Sequence, residues 1–433
     1  MEITYLSIRQ MSERLKSGEI SSLELTEAHL HRIHAINPRL RAIAHLAEES
    51  ALREAKASDE QRAMGRMKGV LEGIPFTVKD WIEVADVPCI AGDERFRNHI
   101  PKQDATCVAR LRKAGGVFLG KTSVFSDSAI YGKIYNPYDL ALSPAGSSSG
   151  EASIIAAGGS PLGLGSDSGG SIRQPAHCCG IAGIRPTTGR IPLTGHLPRI
   201  TALVDPRTVI GPMARSIEDL AFVLPILSGC DWRDASVAPI PLRDMSLVDL
   251  KKLRGVFYTD HAGANPSQEC VAAVQSAIHS LESLGIRMKE SVPPRIEEAA
   301  TITQDYWNRP ESESDEEWVS EEGSSLSGDA IEKHLFLWDR FKRSMLAYME
   351  NVDFIITPVA EQPARPHGQE GGIPYTLPYS LTGYPCVVVR VGTTADGLPV
   401  GVQVVSPPWR EDIALAVALA LEQSLGGWVP PPI

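Results

Sequence analysis

Short apolar runs with strand character alternate with amphipathic helical segments along most of this chain, and that alternation restricts its fold more than any other feature. Residues 74–78 read as a strand ending at Lys79-Asp80. Residues 104–116, DATCVARLRKAGG, read as a helix, and 117–122, VFLGKT, as the next strand. Extended and helical runs then take turns to about residue 284. A helix over 333–350, a strand over 353–357, a strand pair turning at Asp396-Gly397 and a helix over 411–424 continue the pattern. Upstream, residues 6–56 read as two helices, one entered through a serine cap at 21–22 with apolar residues at three- and four-residue spacing. Such alternation specifies an α/β fold, a sheet layered with helices. Without an internal repeat or a linker-like break, the expectation is one domain over residues 1–433. Its parts are N-terminal helices (about 6–56), a core (about 70–230), a variable helical and acidic segment (about 286–350) and C-terminal strands and helix (about 351–425).

Composition narrows the function. At 43% apolar and 22% charged residues the chain has ample material for a core. A net charge of -11 argues against nucleic acid or an anionic membrane as partner. Apolar runs such as 413–421 are too short to span a bilayer, and the first residues lack a basic stretch followed by an apolar one, so the expected location is the cytoplasm. Seven cysteines without CxxC spacing read as reduced thiols, neither a disulfide framework nor a metal site. No cofactor motif stands out, since GLGSDSGG is not G-x-G-x-x-G. Residues 311–329, with eight acids and no base, read as a solvated loop, with a lid or docking loop as the alternative.

Two glycine-rich knots hold more serines than turns require: GSSSG at 146–150 and GSDSGGSIRQPA at 165–176. Ser148 fits the G-x-S-x-G elbow, but NPYDLALSPA before it, with two X-Pro steps, cannot be the buried strand an elbow needs. An elbow also needs a late histidine, and His334 and His367 fall in a helix and a Pro/Gly loop. Ser171 is the better nucleophile, because the amides of Ser168, Gly169, Gly170 and Ser171 can converge on a substrate oxygen. Its base could be His177, six residues on in what reads as a tight PAHCCG turn, or Lys79 at the end of an apolar strand. A neutral lysine requires its pKa to fall from about 10.4 by roughly 3–4 units, which deep burial supplies. Asp80 opposes this unless strand alternation turns it to the other face.

These segments resemble the amidase signature hydrolases. The resemblance rests on GIPFTVKD (73–80), DATCVARLRKAGGVFLGKT (104–122), SPAGSSSGEASIIAAGGSPLGLGSDSGGSIRQPAHCCGIAGIRPTTGR (143–190) and LTGYPCVVVRVGTTADGLPVGVQVV (381–405). It implies a mixed, twisted β-sheet covered by helices on both faces and a Ser–Ser–Lys triad. Ser171 corresponds to the acylated nucleophile, Ser147 to the bridging serine after a cis peptide bond, and Lys79 to the terminal base, with an oxyanion hole at 168–171. Asp167 and Arg173 then read as residues that pin the two loops. Ser148, Ser149 and Ser166 read as loop hydrogen-bonders.

The family pattern is not matched everywhere. Ala145, Ser149, Trp81 and Ser123 stand where glycine, glycine, asparagine and asparagine are usual, and the segment between Thr122 and Tyr131 is short. Trp81, Val124, Phe125, Ile130 and Tyr131 are candidates for apolar pocket walls or for plain core. The implied activity is hydrolysis of linear amide C–N bonds in a small-molecule substrate, with esters, anilides or carbamates as side substrates and no cofactor or metal. A homodimer stays open. The alternatives are the glutaminase component of a tRNA-dependent amidotransferase and a non-catalytic protein on the same fold.

Overall fold

The computed structural model describes residues 2–199, 205–261, 263–307 and 326–433. The N-terminal part contains α1 (Ile8–Ser17), α2 (Ser22–Leu40), β1 (Ile43–Leu46) and α3 (Glu48–Ala63). There follow β2 (Pro75–Lys79), α4 (Thr106–Lys113), β3 (Val117–Thr122) and a small hairpin of β4 (Asp127–Ser128) and β5 (Gly132–Lys133). The glycine-rich region supplies α5 (Ser149–Ala156), β6 (Leu162–Asp167), α6 (Arg173–Cys178) and β7 (Ala182–Arg185). Then come β8 (Val209–Ala214), α7 (Ile217–Leu227), β9 (Arg254–Phe257), α8 (Gln268–Ser283), β10 (Arg287–Glu290) and α9 (Glu298–Trp307). The chain closes with α10 (Gly328–Met349), β11 (Phe354–Pro358), α11 (Leu377–Thr382), β12 (Cys386–Thr393), β13 (Pro399–Val405) and α12 (Glu411–Leu425).

Eleven strands form one mixed sheet in the order β1-β3-β2-β6-β8-β7-β12-β13-β11-β9-β10. β3, β2 and β6 run parallel to one another, whereas β6, β8, β7, β12 and β13 are successively antiparallel. Strand alternation divides the apolar side chains between two layers. Phe76, Val78, Phe118 and Val387 enter a core with α1, α4, α7, α8 and α12. Val117, Leu119 and Val388 enter another with α2, α3, α5 and α6 on the opposite face. The mixed sheet with helices on both faces is thus the expected fold.

Two local expectations are corrected. The segment 6–56 holds a strand and the start of a third helix besides its two helices, because Arg41 turns left-handed (φ 55°) and ends α2. β1 then pairs with β3, about 75 residues away, a partner no local pattern announces. His177 lies in the short helix α6, not in a tight turn. Most of the acidic segment 311–329 lies outside the described residues, and its end enters α10, where Ser327 caps the helix and Asp329 sits in the first turn. Among the described residues no helix is long and apolar enough to cross a membrane.

Candidate active site

The site lies where the C-terminal end of β2 meets the two serine–glycine loops. Lys79 is the last residue of β2 and is fully buried, on the α5/α6 face of the sheet. Its Nζ lies 2.6 Å from Ser147 Oγ, 3.1 Å from Ser166 Oγ and 3.3 Å from Ser166 O. The Trp81 ring centroid is 4.1 Å away. Burial drives the Lys79 pKa well below that of an ordinary lysine, against the opposing pull of Asp167 and Glu151.

Asp80 takes no part in this. It faces the other layer, where its carboxylate meets Lys121 Nζ at 3.0 Å and accepts from the amides of Ile90 and Ala91. Tyr131 also donates its hydroxyl to Asp80. Alternation along the strand therefore separates Lys79 from its neighbouring acid.

The Gly146-Ser147 peptide bond is cis, and Phe125 N donates to Ser147 O. The two loops touch through Ser148, whose amide donates to Ser171 O at 3.1 Å and whose hydroxyl meets Ser166 O at 3.3 Å. Ser148 is thereby tied to the neighbouring loop, and turns rather than a strand precede it, so the elbow geometry is absent here. Ser149 donates to Ala145 O within its own loop.

Around Ser171 the amides are not equivalent. Gly170 N donates to Asp167 Oδ1 at 2.8 Å, so it is already engaged. The amides of Ser168, Gly169 and Ser171 make no hydrogen bond to another described residue. Gly170 holds φ 137°, and a Cβ there would sit 2.6 Å from Thr376 Oγ1, so only glycine fits. Thr376 in turn donates to Gly169 O at 2.5 Å.

Asp167 also accepts from the amides of Ile172 and Arg173 and pairs with the Arg173 guanidinium at 2.9 and 3.0 Å, both groups fully buried. Burial alone would raise this carboxyl, but Arg173 and Arg185 outweigh it and hold the pKa at about 2. Arg173 extends to Thr376 O, Ser380 Oγ and Gln403 Oε1. The pair thus ties the Ser171 loop to α11 and β13, not to the Ser147 loop.

His177 is not available as a base. Its Nδ1 accepts from Gly401 N at 3.0 Å, which fixes the proton on Nε2, and that atom donates to Gln362 O. Burial lowers its pKa further.

Among the proposed walls, the Trp81 and Phe125 rings meet edge to face with centroids 5.3 Å apart, and Trp81 donates to Ala91 O. Phe125 is 38% exposed, whereas Val124 is fully buried against Gly92. Ile130 and Tyr131 are half-buried. Sequence reasoning overlooked Ile373, Thr376 and Leu377, which face Gly169 and Gly170 from about 200 residues downstream. It also took Ser166 for a loop hydrogen-bonder, whereas Ser166 lies in β6 and its hydroxyl reaches the lysine. Among the described residues no group of His, Cys, Asp and Glu is arranged to hold a metal ion.

Comparison with known proteins agrees with this architecture. The Amidase family model matches residues 24–308 and 316–415. The A subunit of glutamyl-tRNA(Gln) amidotransferase from Chloroflexus aggregans is 32% identical over 481 aligned positions, spanning 98% of this chain and 97% of that protein. The structure of 6-aminohexanoate cyclic dimer hydrolase with substrate superposes with a TM-score of 0.86 at 27% identity, covering 99% of both chains. Peptide amidase from Stenotrophomonas maltophilia gives 0.84 at 28%, covering 99% and 98%. A fold, a family pattern and relatives that all extend over nearly the whole length lead to one conclusion: the chain belongs to the amidase family.

Proposed function

We propose that this enzyme hydrolyses linear amide C–N bonds through an acyl-enzyme on Ser171, with Ser147 and Lys79 as the proton relay. The observation that carries the reading is the buried Lys79 amine 2.6 Å from Ser147 Oγ. Its three polar neighbours accommodate both charge states: an ammonium donates to all three, and a neutral amine donates to Ser166 O and Ser166 Oγ with its lone pair turned to the Ser147 hydroxyl.

In the forward direction Lys79 takes the Ser147 proton as Ser147 takes that of Ser171, and Ser171 Oγ attacks the carbonyl carbon. The amides of Ser168, Gly169 and Ser171, which have no other hydrogen-bond partner among the described residues, would hold the developing oxyanion. The proton returns through Ser147 to the leaving amine, the C–N bond breaks, and water hydrolyses the ester. Trp81 and Phe125, with Ile373 and Leu377 near Gly169, favour a small substrate with an apolar portion. Esters, anilides and carbamates would enter by the same attack.

Lys79→Ala tests the reading. Loss of a positioned base should cost roughly 10²–10⁴-fold in amide hydrolysis with the fold retained. Undiminished turnover would refute it.

The full-length likeness to an amidotransferase component supports a second reading, release of ammonia from glutamine for a partner protein. Hydrolysis of free glutamine by the purified chain, or co-purifying partner chains, would favour it. An amide panel on which only apolar substrates turn over would favour the first.

A further inference from the structure

A buried acid stands beside the base and has no part in the relay. Glu151, in the first turn of α5, is fully buried. Its Oε1 meets Thr77 Oγ1, and its Oε2 accepts from Thr122 Oγ1 at 2.8 Å. Both threonines flank Lys79: Thr77 is two residues earlier on the same face of β2, and Thr122 is its register partner on β3. β6 makes room for the carboxyl with Gly163, where a Cβ would lie 1.7 Å from Oε1. Among the described residues Glu151 makes no ion pair within 4 Å.

Counting hydroxyl protons points to the charge state. Thr77 has one proton and two oxygens in reach, Glu151 Oε1 and, at 3.4 Å, Leu162 O, which also accepts from Ser160 Oγ at 2.7 Å. A carboxylate only accepts, so one of the two contacts would lack a proton. A carboxylic acid completes the set: Glu151 donates to Thr77, Thr77 to Leu162 O, and Thr122 to the other oxygen. An unpaired carboxylate would also bear the cost of burial without a cation in contact. Burial accordingly pushes the Glu151 pKa up to about 8, against the lowering influence of both threonines, Lys79 on β2 and Lys121 on β3.

We propose that Glu151 is held as a neutral carboxylic acid that donates to Thr77, and that its neutrality keeps Lys79 available as a free amine. Glu151 is then a positioning residue that acts through Lys79, and this role rests on the reading of Lys79 as base. A charged Glu151 would add to the upward pull of Asp167 on the Lys79 pKa, so ionisation of the carboxyl works against the free amine. At alkaline pH the carboxyl ionises and its charge favours return of a proton to Lys79, so the two groups titrate as a coupled pair.

Infrared difference spectroscopy on the full chain reads the proton directly, without turnover. At neutral pH the wild type should show the carbonyl stretch of a protonated carboxylic acid that Glu151→Gln lacks, and Lys79→Met should retain it. A Glu151 carboxylate balanced by a charged Lys79 predicts the reverse, a band that appears only in Lys79→Met. That result would overturn the proposal, and the wild type and Lys79→Met suffice to show it if Glu151→Gln does not fold. The pH–rate profile separates tuning from mere packing. Glu151→Gln should keep the acid limb in place and lose the coupling on the alkaline side. A downward move of the acid limb by about one unit or more would mean that the wild-type residue is charged. If Lys79→Ala stays active, the relay fails while the spectroscopic result still stands.

Discussion

In the proposed mechanism Lys79 is the residue on which the chemistry turns, and its environment would set the pH dependence of the reaction. The neutral amine is then the competent form, and burial depresses its pKa. The competent fraction therefore grows as pH rises through that lowered value, and kcat/KM should climb to a plateau starting below lysine's usual pKa of about 10.4. In Lys79→Ala this limb should vanish, leaving a rate that grows only with hydroxide. A wild-type profile falling with pH over the same span would contradict the assignment. The lysine was legible in the sequence because a cation at the end of an apolar strand has few explanations. Ser166 was not, since nothing local distinguishes a serine that caps a loop from one that reaches an amine across the sheet.

At the scale of elements, the site depends on how β2, β6 and the loop before α6 are held. Asp167 and Arg173 are six residues apart, yet the arginine's other partners come from Thr376, Ser380 and Gln403. Asp167→Asn leaves the buried guanidinium uncompensated and should cost about 3–5 kcal/mol in urea unfolding. It should also loosen the Gly170 amide that Asp167 holds, so activity should fall more than stability explains. A variant as stable as the wild type would show that the pair is dispensable. The strands β2 and β3 were readable from their apolar runs, whereas β1 and the wall formed by Ile373, Thr376 and Leu377 were not. Pairings across about 75 or 200 residues leave no trace in local periodicity. Glu151 did leave one: an acid in the otherwise small and apolar helix SGEASIIA is a mark of a buried carboxyl.

Across the whole molecule, the α/β alternation announced the layered fold, and the order of the eleven strands came only with the structure. The fold brings the end of β2, two glycine-rich loops and the start of α11 to one place, and the proposed chemistry follows from that convergence. The most direct measurement is peptide mapping by mass spectrometry after treatment with a fluorophosphonate that acylates activated serines. Label on Ser171 in the wild type, lost in Lys79→Ala, is the expected result. Label on Ser148 or another serine, or label on Ser171 that persists without Lys79, would contradict the relay.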